Sequence, residues 1–366
     1  MKHRLFLIIA TAACLGGITA CSQDNDIVVP DGDLKAAISF NVNIGQTPDP
    51  QVSMRGASID NPTIGYVFSD GDKVCIAITG DGTTSARSTT EEKKLYKVVT
   101  ANSNAGSTNG LPQSLEYDGT ATDEFNWMSQ SEKIALRAWS YGNSTTTTTD
   151  PNGATFTIST TQNSDSDVKE LLYSPGPQSP NTTNYSYSVN SSSLNIPLYH
   201  QLARVVVNVT NTESDKYQND GFTVSSVTIG TDAYKVPTSA TFTEPASGNY
   251  GTWSIQGTPV TGTVTAKAET PVSPNKATYS AVIIPYDGSQ NGSGSYYKAG
   301  HKFITITTSR GIYTFTIPSK DSSDNNIYGY NIEPGHQYTF NITNLNEIKL
   351  NVKVKAWTST SEDIDL

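Results

Sequence analysis

The residues of this chain that could do chemistry are few and scattered. Cysteines stand at positions 14, 21 and 75, and histidines at 3, 200, 301 and 336. No HxH or HExxH spacing relates the histidines, so no metal centre is indicated. No GxSxG, phosphate-loop or dinucleotide-binding glycine pattern occurs, and no cofactor is expected. Asp70 and Asp72 flank a glycine, but no further oxygen ligands follow at the spacing of a calcium loop, so both read as turn residues. Asp321 and Asp324 lie in a Ser/Asn turn and read as loop solvation. No pair of carboxylates is nominated for glycoside hydrolysis. His200 begins a strong apolar run and reads as a structural histidine bonded to backbone. The expectation is a protein that is not an enzyme.

Two residues near the N-terminus suggest processing instead. Cys21 follows a basic Met1-Lys2-His3-Arg4, an apolar Leu5–Ala10 and small residues up to Ala20. These are the parts of a secretory signal peptide, with an apolar core too short to span a bilayer. Ile18-Thr19-Ala20-Cys21 resembles a bacterial lipobox, in which the cysteine becomes the lipidated first residue of the mature chain. Residues 1–20 are therefore read as a lipoprotein signal peptide. Residues 21–35, with Ser22-Gln23-Asp24-Asn25-Asp26 and Pro30-Asp31-Gly32-Asp33, are read as a polar tether. Cys14 leaves with the signal, and Cys75, between Val74 and Ile76, reads as a core thiol. No intramolecular disulfide is then expected in the mature chain.

After the tether, Ile38-Ser39-Phe40-Asn41-Val42-Asn43-Ile44 alternates strictly, which places Ile38, Phe40, Val42 and Ile44 on one face of a strand. Pro48 and Pro50 follow, then Ser53-Met54-Arg55-Gly56-Ala57, with an arginine in an expected exposed loop. Cleavage between Arg55 and Gly56 would remove that one strand and nothing else of the fold. Arg87, in a Thr/Ser loop, is a rival site. Cutting there would also remove the strand at Val74–Ile78.

The elements around these residues read as β throughout. Short blocks rich in Val, Ile, Thr, Tyr and Phe are separated by Gly, Pro and Asn, and no sustained helical period appears. Asp165–Tyr173 is the best short helical turn or apolar segment of the first half. With 24 basic and 34 acidic residues the net charge is -10, which disfavours nucleic acid. At 366 residues the chain suits two domains. The Pro/Ser/Asn/Tyr-rich stretch Ser174–Ser193 is the boundary, giving residues 36–193 and 194–366. The second half opens with one long run, Leu194 to Val209. The last strand, Ile348–Ala356, alternates through Ile348, Leu350, Val352 and Val354, with Lys349, Lys353 and Lys355 guarding an edge. Tyr185, Tyr187, Tyr286, Tyr296, Tyr297, Tyr328 and Tyr330 lie in or beside loops, where they could stack on sugars or pack back on the fold.

Taken in order, the blocks resemble the fimbrillin-like lipoproteins of the Bacteroidales, subunits of protease-assembled fimbriae. The matching blocks are the lipobox, the first strand with Met54-Arg55-Gly56-Ala57, and Asp70-Gly71-Asp72-Lys73-Val74. Ala138-Trp139-Ser140-Tyr141, Glu170-Leu171-Leu172-Tyr173, Tyr199-His200-Gln201-Leu202-Ala203-Arg204-Val205 and Ala281–Pro285 follow. Glu333–Phe340 and Ala356-Trp357 complete them. The acidic run after Cys21 also looks like the export signal of Bacteroidetes surface lipoproteins. The resemblance implies two tandem transthyretin-like β-sandwich domains, lipid anchoring at the outer membrane as the sole membrane contact, and surface exposure. It further implies cleavage by an arginine-directed protease, then polymerisation with other fimbrial subunits by strand exchange, with a host or bacterial surface ligand for an adhesin. Nine residues follow Trp357. The expected donor is therefore the last strand itself, with Ile348, Leu350, Val352 and Val354 filling the groove. Otherwise the chain is a tip, accessory or anchored subunit. The alternative is a surface glycan-binding lipoprotein that stays anchored and uncleaved, with Tyr296 and Tyr297 among its contacts.

Overall fold

The computed structural model describes residues 37–44, 68–80, 82, 87–99, 112–129, 132–143, 145–176, 186–188, 193–210, 223–255, 260–273, 276–288, 296–320, 326, 328–343 and 349–356. The first part of the chain supplies β1 (Phe40–Ile44), β2 (Lys73–Gly80), β3 (Glu92–Val99), β4 (Gln113–Tyr117), β5 (Lys133–Ser140), β6 (Thr155–Thr157), β7 (Leu172–Tyr173), β8 (Ser186–Ser188) and β9 (Leu194–His200). Next come β10 (Ala203–Thr210), β11 (Val224–Ile229), β12 (Val236–Pro237), β13 (Ser239–Thr243), β14 (Thr252–Ser254), β15 (Thr261–Gly262), β16 (Val264–Thr265) and β17 (Lys267–Ser273). The remainder are β18 (Lys276–Ile283), β19 (Tyr286–Asp287), β20 (Lys302–Thr308), β21 (Gly311–Thr316), β22 (Asn331–Ile332), β23 (His336–Thr343) and β24 (Lys349–Ala356). The protein is all-β, and among the described residues a 3-10 turn at Ala121–Asp123 is the sole helical element. Asp165–Asp167 is a turn rather than helix, held by the Ser164 amide and hydroxyl donating to the Asp167 carboxylate, and the apolar end of that block becomes β7.

The first sheet runs β2-β3-β4-β1-β9-β7-β5, and β5 pairs back onto β2. Hydrogen bonding therefore passes round a closed ring of seven strands, with β8 paired to the start of β5. Closure leaves no free edge in the ring, so each member is held on both sides. Both faces of β2 are buried, which explains why Val74–Ile78 reads as an unbroken apolar run. Val74, Ile76 and Ile78 enter the main core; Cys75 and Ala77 join Trp139, Leu171, Tyr173 and Phe242 on the other side. Trp139 and Tyr173 stack there with ring centres 6.2 Å apart.

Two further sheets, β17-β18-β10-β23-β24 and β16-β11-β20-β21, pack face to face. Phe303 of β20 and Phe315 of β21 each meet Phe340 of β23 at 5.6 Å between ring centres. The centre of this sandwich repeats the ring's local order. β1 lies between antiparallel β4 and parallel β9, and β10 lies between antiparallel β18 and parallel β23.

The two halves are knitted together. β6 of the first half joins β13 and β14 of the second in one small sheet. Contacts treat residues 33–366 as one compact unit. The run Leu194–Val209 divides at Gln201-Leu202: β9 stays in the ring, and β10 begins the second core. The change of sheet thus falls one strand later than the boundary expected at residue 194. The chain crosses with polar side chains that are wholly buried. Gln201 receives the Gly251 amide on its carbonyl oxygen at 2.8 Å, and its side-chain amide donates to the backbone of Asn249 at 3.0 Å. Its backbone carbonyl accepts the Trp253 indole N–H at 2.6 Å. Gly335, at φ +70°, sends its amide to the Leu202 carbonyl at 2.8 Å, and a side chain there would strike the Tyr250 ring.

Candidate functional site: the seat of the first strand

β1 is a short strand supplied from far ahead of its neighbours, and its alternation is realised in full. Ile38, Phe40, Val42 and Ile44 are 4%, 2%, 0% and 6% exposed. On one side β1 runs parallel to β9, from Phe40 opposite Leu194 to Ile44 opposite Leu198. On the other it runs antiparallel to β4, Asn41 opposite Ser114 and Val42 opposite Gln113. Just before the strand, Ala37 bridges Asn126, the Ile38 amide donates to the Phe125 carbonyl at 2.8 Å, and the Ser39 carbonyl accepts the Leu194 amide at 2.9 Å.

The deepest point of the seat is aromatic. Phe40 meets Tyr96 edge-on at 5.0 Å and Phe125 at 6.4 Å. The Tyr96 hydroxyl accepts the Phe125 amide at 3.2 Å, and burial pushes its phenol well above the usual tyrosine range. A cavity of about 400 Å³ opens alongside, lined by Phe40, Tyr96, Leu115, Tyr117 and Gly119 among others. On the outer face, the Asn41 side-chain amide donates to Ser193 Oγ at 3.1 Å and to Asn195 Oδ1 at 3.0 Å.

Arg87 fastens the wall of this seat. Its Nε donates to Glu132 Oε1 at 2.9 Å, and the two side chains are 2% and 0% exposed. A further guanidinium nitrogen donates to the Asn126 carbonyl, and the guanidinium lies 5.7 Å from the Phe125 ring centre. Glu132 also accepts the Met128 amide at 2.6 Å. Arg87, the rival cleavage site offered by the sequence, is thus a buried side chain. Its burial could not be read from one arginine in a Thr/Ser loop, since Glu132 stands 45 residues away.

The remaining chemistry-bearing residues are structural. Arg137 binds Glu91 and Asp150, reaches Glu244 at 3.1 Å and donates to the Tyr173 hydroxyl at 2.6 Å, tying β5 to the end of β13. Burial alone would raise the Glu91 carboxyl, but the Arg137 hydrogen bond and charge, helped by Lys93, hold it below the usual range. His200 is buried against Glu170. Cys75 is free and buried, and burial pushes its thiol far up. Asp72 closes its turn by accepting the Ser69 amide at 2.8 Å. Tyr297, at φ +53°, is buried with its hydroxyl donating to the Ile284 carbonyl at 3.0 Å, and Tyr330 is buried too. Tyr286 and Tyr296 are half-buried edge to face at 5.2 Å, which leaves Tyr328 exposed. Tyr296 and Tyr297 thus form no open sugar platform. Among the described residues no group of His, Cys, Asp and Glu could hold a metal ion, and no helix is long and apolar enough to cross a membrane.

Cys21, Arg55, Gly56 and Ile348 lie outside the described residues, as does Tyr185. Leu350, Val352 and Val354 fall on β24, which among the described residues is the edge strand of its sheet, paired antiparallel with β23. The alternation marks the four inward residues of β1 but not the residues the strand meets, Tyr96 and Phe125 around Phe40 and Ser193 and Asn195 at Asn41. Those come from three separate places in the chain, and only folding assembles them.

Comparisons with known proteins agree with this architecture. A family model described as fimbrillin-like matches residues 59–357. No curated protein matches significantly. Among solved structures the chain is similar to a proposed cell adhesion protein from Bacteroides uniformis, at 14% identity and a TM-score of 0.51 over 88% of this chain and 98% of that one. It is also similar to a proposed cell adhesion protein from Bacteroides ovatus, at 15% identity and a TM-score of 0.52 over 90% of this chain and all of that one. At such identities the likeness is one of fold.

Proposed function

Because the chain belongs to the fimbrillin-like family, we propose that it is a structural, non-enzymatic subunit or accessory adhesin of a bacterial surface fimbria. It is exported as a lipoprotein anchored through Cys21 to the outer membrane. An arginine-directed protease then cuts after Arg55, so that the mature chain begins at Gly56. Release of the preceding segment takes β1 away. A strand from a neighbouring subunit fills the vacated seat by β-augmentation.

The observation that carries this reading is the position of β1 in the ring. It is a single strand between β4 and β9, joined to the rest only through residues 45–67, and its loss would open a closed ring. Opening bares the edges of β4 and β9 and the apolar floor together. Burial of four such side chains is worth roughly 6–12 kcal/mol gross, an upper bound, which any replacement strand would recover. Arg87, in its buried pair with Glu132, is shielded from the same protease.

The test is assembly from purified precursor treated with an arginine-specific protease, followed by electron microscopy. The wild-type chain is expected to lose residues 1–55 and form fibres. Arg55→Ala is expected to stay folded and monomeric; normal fibres from that variant would remove the cleavage step from the account.

A further inference from the structure

Among the described residues, three edge strands are longer than three residues: β17, β21 and β24. β17 contains Lys267, Glu269 and Pro271, and β24 contains Lys349, Lys353 and Lys355. Charge, proline and brevity are the devices that keep a sheet edge from pairing with another chain. β21, Gly311-Ile312-Tyr313-Thr314-Phe315-Thr316, has none of them. Ile312 is its most open large residue, 71% exposed. The outward face beside it is uncharged too. Ile312 and Thr314 lie opposite Thr307 and Thr305 of β20, and these lie opposite Ser226 and Thr228 of β11.

A two-residue turn, Ser309-Arg310, joins β20 to β21, so Thr308 and Gly311 make the first bonded pair of this ladder. The alternation then aims the backbone groups of Tyr313 and Phe315 at β20, and those of Ile312, Thr314 and Thr316 at the open edge. We propose that this edge pairs with the same edge of a second copy of the chain, antiparallel about a twofold axis at Thr314. In that register Thr314 faces its own counterpart, Ile312 faces the second copy's Thr316, and Tyr313 faces the second copy's Phe315. Every backbone group that β21 aims outward is then bonded. The inner faces join as well. Phe315 is buried against Phe340 and Tyr313 packs on the same core, so contacts of Tyr313 with Phe315 across the joint carry the apolar layer from one copy into the next. A register centred on Tyr313 would set Thr316 opposite Arg310 in the second copy's turn, where its groups go unpaired. A second copy is the occupant because the strand complements itself and carries no charge to repel its like, in a chain whose net charge of -10 otherwise keeps copies apart. Two strands of six residues fall short of the roughly 1,000 Å² that a stable interface buries, so separate chains stay monomeric in dilute solution. In a fibre the contact repeats, and repetition makes weak edges hold fibres side by side. That last step rests on the strand-exchange reading; the edge pairing itself does not.

The test is disulfide capture on the uncleaved full-length precursor, which keeps strand exchange out of the measurement. Paired Cα atoms about 5.5 Å apart are within disulfide reach. Thr314→Cys is therefore expected to give a covalent dimer and no larger species, at least about tenfold above both the wild-type chain and Val260→Cys, an exposed position outside β21. Cys75 is buried and stays out of the reaction, and Cys21 is common to every variant and counted in the wild-type blank. Ile312→Cys and Thr316→Cys are each expected to stay monomeric alone and to give the dimer when mixed. A dimer from Ile312→Cys mixed with Thr314→Cys, with none from Thr314→Cys alone, would overturn the register. Thr314→Cys and the mixtures all at the level of Val260→Cys would overturn the pairing. Should the cysteine variants fail to fold, sedimentation of the unmodified precursor gives a second reading. Its average mass is expected to rise above one chain as concentration approaches about 1 mM, a Kd of that order suiting so small a contact. Thr314→Lys, which adds the missing guard, is expected to hold the mass of one chain throughout. No rise in the unmodified chain would overturn self-pairing, and a rise undiminished by the lysine would overturn its assignment to β21. In fibres, bundles that persist with Thr314→Lys would overturn the lateral role.

Discussion

At the scale of single residues, Phe40 and the Arg87–Glu132 pair decide whether the seat exists. Phe40 fills the space between Tyr96 and Phe125, so Phe40→Ala should destabilise the precursor by about 3–5 kcal/mol, and Phe40→Asp by more, measured by urea unfolding. A change below about 1 kcal/mol would mean that the ring does not depend on β1. Arg87→Ala leaves Glu132 buried without its cation and should cost about 3–5 kcal/mol in the same assay. Alkaline pH offers a third check. Burial raises the Cys75 thiol and the Tyr96, Tyr173, Tyr330 and Tyr338 phenols, so the folded chain keeps their protons. Above the unfolded values, about 8.5 for thiol and about 10 for phenol, the unfolded state binds fewer protons than the native one, so stability falls as pH rises. Unfolding midpoints should decline as pH rises beyond about 8; a rise there would contradict the burial of these groups. The β1 face was legible in sequence because period two needs no partner to be seen. The buried roles of Arg87, His200 and Gln201 were not, because a polar letter carries no record of the distant group it meets.

At the scale of elements, β1 is a strand held from both sides in a ring that its loss would open. Cleavage followed by release of β1 should expose the amides of β4 (Gln113–Tyr117) and β9 (Leu194–His200) to hydrogen exchange, with β10, β18 and β23 still protected. Filling the seat should restore protection to β4 and β9. Uniform loss across both cores would mean that β1 is part of a single cooperative unit and cannot be spared. Several elements were readable from the sequence, the apolar run of β2 and the alternation of β24 among them. The division of Leu194–Val209 into two strands was not, because both strands are apolar and the break at Gln201-Leu202 contains no glycine or proline. The family blocks now have physical reasons. Trp139 and Tyr173 stack over Cys75 on the outer face of the ring, while Gln201 and Gly335 pin the crossing between cores.

At the scale of the whole molecule, the proposed strand exchange would join the seat of one copy to a strand supplied by the next. Copies joined in this way would add head to tail, and such a heterologous contact gives an open filament when its rotation does not close. The small sheet of β6, β13 and β14, with Arg137 reaching Glu244, ties the two cores into one connected body. Such a filament requires that β1 be gone from assembled chains. The mature N-terminus, read by mass spectrometry on surface-sheared and membrane fractions of the native host, tests this most directly. Sheared chains are expected to begin at Gly56. Chains in both fractions that begin at Cys21 and retain Phe40 would contradict the account, since the ring would then still be closed by its own first strand.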